Sequence, residues 1–184
     1  MQDFLDEQAY RALQSRLQTG EVGLLIPRQI ARSFFLRTPN AAIRQATGRS
    51  ALRTKLLIWI GVITAPLLFV LAAAHFIQNT GWAAAILVPL LGIFWTILAG
   101  LTGDKGTFLQ GTLAMILGLV ATALMPTEYG VPIGLISLSL WIHRNVYFVA
   151  EFFLLGIVSQ SFPAFDMLIE HIEILDNEAG EVNT

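Results

Sequence analysis

Ionisable side chains are scarce in the long apolar stretches of this chain, so those that occur there are the first candidates for chemistry. Residues 131–162 hold His143, Arg144, Asn145 and Glu151. A charged group within hydrocarbon is costly and must face protein, water or another subunit. Arg144 and Glu151 are seven positions apart, about two helical turns and roughly 10 Å along one face. That is too far for a direct intrahelical bond, and Ser137 and Ser159 lie roughly on the same line. The polar stripe has three readings. It is a structural network between helices or subunits, a set of side chains snorkelling at the membrane boundary, or an ion or proton pathway. The first is favoured.

Other chemistry is thinly represented. The chain has no cysteine, which excludes thiolate metal sites, disulfides and cysteine nucleophiles. It contains no HExxH, GxSxG or Walker A sequence. Residues 100–107 (GLTGDKGT) read as a turn, because Lys105 lacks the Gly before it and the Ser or Thr after it. His75, His143 and His171 are scattered, and His171 beside Glu170 and Glu173 reads as a surface cluster. A lipid-modifying enzyme would have only His143 and Glu151 as base or nucleophile. The expectation is a non-enzymatic protein with no catalytic residue, cofactor or metal.

The elements that must position these residues follow from the apolar runs. Of 184 residues, 55% are hydrophobic and 13% charged, about half the charged fraction of a soluble domain. This composition excludes disorder, an ordinary water-soluble domain and a DNA-binding protein. A helix needs about 20 apolar residues to cross about 30 Å of hydrocarbon. Stretches 56–77, 82–101 and 108–125 meet that need, separated by the short turns 78–81 and 102–107. Residues 126–130 form the next turn. Residues 131–161 are too long for one perpendicular span and read as a single long helix that leaves the membrane near Ala150. The alternative is a re-entrant half, 131–142, followed by a span at 146–161.

The fold expected is all-α: a polytopic membrane protein with a four-transmembrane-helix bundle, amphipathic cytoplasmic N-terminal helices and an acidic C-terminal helix. Its parts are an arm (1–54), a membrane domain (55–161) and a tail (162–184). In the arm, Leu5, Ala9, Leu13 and Leu17 recur every four positions, predicting an amphipathic helix over 3–18 that Gly20 and Gly23 end. Residues 24–37 combine Ile26, Ile30 and Phe34 with Arg28, Arg32 and Arg37, the pattern of a basic helix in the membrane interface. Pro27 suits its first turn. In the tail, Phe165, Leu168, Ile169, Ile172 and Leu175 predict one apolar helix face over 164–176, and Asp166, Glu170 and Glu173 an acidic face for a partner. An acidic helix beside an anionic leaflet is repelled, so the tail is expected to pack on the chain's own basic arm at 28–53. Residues 176–184 read as a frayed end.

Charge sets the orientation. Nine of the eleven bases precede residue 56, against four acids, whereas 162–184 holds six acids and neither Lys nor Arg. The positive-inside rule places the arm, and with four spans also the tail, in the cytoplasm. The first long apolar run begins at Leu56, too late for a signal peptide. Short loops and this layout point to a bacterial inner membrane. Small residues spaced four apart (Gly61 and Ala65; Gly92, Thr96 and Gly100; Ala114, Gly118 and Thr122) permit close helix contacts, within the bundle or between subunits. The expected function is an integral membrane subunit that forms a homo-oligomer and positions cytoplasmic protein partners. Its other contacts are anionic lipid, and no nucleic acid. The alternative is a small oligomeric channel or transporter using the polar stripe of the fourth helix.

Overall fold

The computed structural model describes residues 6–81, 86–104 and 108–176. The chain is predominantly helical. The elements run α1 (Glu7–Thr19), β1 (Val22–Leu25), α2 (Arg28–Arg37), α3 (Asn40–Thr47), α4 (Leu52–Thr80), α5 (Leu87–Asp104) and α6 (Phe108–Leu124). They continue with α7 (Thr127–Val158), α8 (Phe162–Asp166), a 3-10 turn at Ile169–His171 and β2 (Glu173–Asp176). Two compact units result, one from Met1–Lys55 and Ala150–Thr184, the other from Leu56–Val149.

The first unit is built from the two ends of the chain. Asp6 caps α1 by accepting from the Ala9 amide at 2.7 Å, and Gly20, at φ 78°, ends it in a left-handed turn that L side chains rarely adopt. The buried face of α1 is Tyr10 and Leu13. Pro27 stands just before α2, whose buried residues are Ala31, Phe34 and Phe35. These side chains join Ile26, Ile43, Leu154, Val158, Phe165 and Leu168 in an apolar core. The Tyr10 ring lies 5.5 Å from that of Phe162 and 5.2 Å from that of Phe165, centroid to centroid.

The tail departs from the expected helix over 164–176. Ser161 starts α8 by accepting from the Ala164 amide, and Phe165 and Leu168 are buried as the pattern requires. The helix stops at Asp166, and Glu173–Asp176 pairs antiparallel with β1, with Val22 opposite Asp176 and Leu25 opposite Glu173. The edge offered by β1 supplies backbone partners that an isolated tail would lack, and such context overrides local propensity. Asp166, Glu170 and Glu173 consequently occupy three different elements, all exposed, and share no helix face.

The second unit packs four helices, and α7 touches the other three. On α4, Gly61 faces Val146 and Ala65 is fully buried. On α6, a Cβ at Gly118 would collide with the side chain of Ser137, and one at Gly111 would meet Arg144 Cδ at 2.9 Å. Gly92 of α5 rests in ordinary contact with Phe69. Several of the small residues picked out by spacing thus serve packing within the chain. Polarity runs inward: Ser139 is 0% and Arg144 8% exposed, whereas Leu117 is 69% exposed, and Ile60, Ile63, Leu67, Ile93 and Leu113 also face outward.

Two helices, α4 and α7, are long and apolar enough to cross a membrane, with mean hydropathy 2.5 and 1.2 in their most apolar stretches. Only 22% and 33% of those stretches is buried, where the central helix of a soluble core is mostly buried. Shorter apolar runs lie at Leu87–Ile97 and Gly111–Leu124. The helix bounds differ from those expected: α4 runs on to Thr80, where Gly81 at φ 85° follows, and α7 already begins at Thr127. Residues 102–104, expected in a turn, are helical. Expected features at 3–5, at 82–85, at 105–107 with Lys105, and at 177–184 lie outside the described residues.

Candidate functional site

Helix α7 carries the polar residues singled out by the sequence, and the structure sorts them into separate contacts. In the second unit, Ser139, His143 and Tyr147 follow one another at four-residue spacing and so share a face. Trp95 Nε1 donates to Ser139 Oγ at 3.0 Å, and Ser139 Oγ donates to the Ala65 carbonyl at 2.5 Å. One hydroxyl therefore ties α4, α5 and α7 together. The His143 ring lies 5.5 Å from Trp95 and 5.4 Å from Tyr147, edge-on to both. Phe69 extends the aromatic row, 5.6 Å from Trp95.

Arg144 lies on a neighbouring face. Its guanidinium carbon sits 5.6 Å from the centroid of Phe148, a cation–π distance, and its stem fills the space left by Gly111. Trp141 Nε1 donates to Thr112 Oγ1 at 3.3 Å. Asn145 Nδ2 is buried and makes no hydrogen bond among the described residues.

Glu151 belongs to the first unit and has a different partner. Arg28 Nε donates to Glu151 Oε2 at 2.7 Å, with the two side chains only 19% and 17% exposed. A charge-assisted bond of this length is among the stronger polar contacts a protein makes. Arg28, read from sequence as an interfacial cation, thus holds a carboxylate in place. Arg32 is half-buried, and Arg37 is exposed in the last turn of α2, where a cation complements the helix dipole.

The arm also finishes the end of α7. The last carbonyls of a helix have no partner within it. Tyr10 Oη donates to the Val158 carbonyl at 2.8 Å, and Gln14 Nε2 donates to that of Ser159 at 3.2 Å. Tyr10 and Gln14 are four apart on α1, so one helix face caps another helix. Burial pushes the Tyr10 phenol above its ordinary pKa. Farther along, Arg16 pairs with Asp176 at 2.8 Å, and Ser161 Oγ donates to the Ala46 carbonyl at 2.7 Å. The tail's ion-pair partner is Arg16 of α1, while α8 packs on α3, inside the 28–53 segment that charge balance favoured.

Sequence reasoning missed Ser139, Trp95 and Tyr10. The four-residue spacing from Ser139 to His143 to Tyr147 was a usable signal for the first. Trp95 and Tyr10 gave none, since their value lies in partners more than forty residues away. Among the described residues, no group of three His, Asp or Glu side chains stands where it could hold a metal ion. Comparison with protein families, characterised proteins and solved structures found no match to this chain.

Proposed function

We propose that this chain is a non-enzymatic integral membrane subunit with four spans, whose arm and tail form a cytoplasmic platform for protein partners. The observation that carries the reading is the inverted polarity of the second unit. A soluble protein rarely leaves more than a few hundred Å² of contiguous apolar surface exposed, whereas helices α4 to α7 turn Leu and Ile outward and keep Ser139 and Arg144 inside. Helices α5 and α6 are short, but two further spans keep both ends of the chain on one side, as the shared unit of arm and tail requires. The inside-positive charge of the arm makes that side cytoplasmic, in a bacterial inner membrane.

The platform reading draws on the first unit, where chain ends far apart in sequence close on a common core. A thin bundle with outer turns of a few residues has little surface outside the membrane on which to assemble, so oligomerisation falls to the helices themselves. The competing channel reading would use the stripe of α7. It is disfavoured because Ser139 is engaged by Trp95 and Ala65, and Glu151 by Arg28.

The test is the mass and composition of the complex purified in mild detergent or nanodiscs. The expected result is more than one copy of this chain, together with a soluble protein in fixed ratio that is lost when residues 164–184 are deleted. Recovery of the chain alone as a monomer overturns the proposal. A homo-oligomer alone, with ion flux in liposomes sensitive to Arg144→Ala, would favour the channel.

A further inference from the structure

The first unit contains a groove beside the contacts described above. Its volume, 840 Å³, falls in the range of about 300–1,000 Å³ typical of small-molecule sites. The wall is apolar, formed by Leu24, Ile43, Phe153 and Ile157. The mouth is polar, with Thr47, Arg49 and Ser50. Among the described residues, no Asp or Glu lines it.

Arg49 is the charged residue of the lining, and it lies in a basic stretch of the chain. Residues 44–55 hold Arg44, Arg49, Arg53 and Lys55 and no acid. Arg49 donates to the neutral Gln160 at 3.1 Å, and Lys55 to the Thr38 carbonyl. Among the described residues, none of these four bases forms an ion pair, while the carboxylates of Glu7, Glu151 and Asp176 are matched to Arg11, Arg28 and Arg16. Two exposed aromatics, Phe152 and Phe153, are part of the lining, with their rings 5.7 Å apart. Cations, exposed aromatic rings and an apolar slot next to the start of a membrane-crossing helix are the chemistry of the lipid headgroup boundary.

We propose that this groove binds one anionic phospholipid, its phosphodiester at Arg49 and an acyl chain along Phe153 and Ile157. The proposal rests on the membrane reading above and goes further by naming a site and a ligand class. A zwitterionic lipid would leave Arg49 unbalanced, and an acidic peptide would leave the apolar lining unfilled.

The full chain is reconstituted in nanodiscs of equal parts phosphatidylcholine and phosphatidylglycerol, released in mild detergent and weighed by native mass spectrometry. One phosphatidylglycerol per chain is expected, undisturbed by added inorganic phosphate. Arg49→Gln should weaken its retention about five-fold, the effect of one basic residue at an anionic surface. Arg49→Lys should largely keep it, and Arg11→Gln, outside the groove and paired with Glu7, should leave it unchanged. Equal retention by Arg49→Gln with an unchanged circular dichroism spectrum, or equal retention of phosphatidylcholine, overturns the site. A chain that washes off the membrane in alkaline carbonate would overturn the membrane reading itself, a result distinct from a membrane-embedded chain that retains no lipid.

Discussion

Two side chains of the first unit have effects that can be separated by measurement. The Tyr10 hydroxyl satisfies the terminal carbonyl of α7, and Tyr10→Phe keeps the ring packing while removing that bond. A loss of about 1 kcal/mol is expected, read as faster hydrogen exchange in α1 and at 154–158. The phenol pKa is raised by burial. The folded chain therefore keeps its proton where the unfolded chain has lost it, and the unfolded state binds fewer protons. Stability from this source is intact below about pH 10 and declines as pH rises through the folded value. In Tyr10→Phe that alkaline decline should be absent, which denaturation at pH 8 and above pH 10 would show. At the other polar contact, Glu151→Gln leaves Arg28 half-buried without its counter-charge. A cost of about 2 kcal/mol is expected, well above that of Glu7→Gln, whose bond to Arg11 is solvent-exposed.

At the scale of elements, the packing of α6 on α7 depends on missing side chains. Any Cβ at position 118 collides with Ser137, so Gly118→Ala should destabilise the second unit by about 2 kcal/mol. Gly92→Ala, which would make only ordinary contact with Phe69, should be close to neutral. Unfolding in mixed micelles would rank the two, and equal costs would argue against the α6–α7 contact. In the first unit, α1 depends on the tail through Phe165, and β1 depends on it through β2. Deleting residues 164–184 should raise hydrogen exchange across α1 and β1. Unchanged protection there would mean that arm and tail fold independently.

For the whole molecule the decisive property is topology. The chain has no cysteine, so one introduced residue is a unique label. In sealed bacterial vesicles, Glu21→Cys and Asp166→Cys should react with an impermeant maleimide from the cytoplasmic side only, and Asn79→Cys from the opposite side only. Both ends labelling from one side fits an even number of spans, and Asn79 on the other side gives α4 its direction. Opposite labelling of Glu21→Cys and Asp166→Cys would overturn the four-span arrangement.

Much of this organisation is legible in the amino-acid sequence, because the features concerned are local or additive. Apolar length marks α4 and α7, four-residue periodicity marks α1, Pro27 marks the start of α2, and the run of bases before Leu56 requires no partner to be recognised. The individual partners of the polar residues on α7 are not legible in the sequence, for a physical reason. Seven-residue spacing puts Arg144 and Glu151 on one line, but their contacts differ: Gly111 of α6 and Phe148 of α7 itself for Arg144, and Arg28 of α2 for Glu151. The tail was misread because helical and extended backbone were both compatible with its pattern of Ile and Leu, and only the unpaired edge of β1 decided between them. The capping of α7 by Tyr10 and Gln14 lies 148 and 145 positions apart in the chain. Composition and periodicity determined where helices and charges lie. Long-range packing decided which buried groups are satisfied and by whom, since the cost of an unmatched polar group falls on contacts that no local pattern encodes.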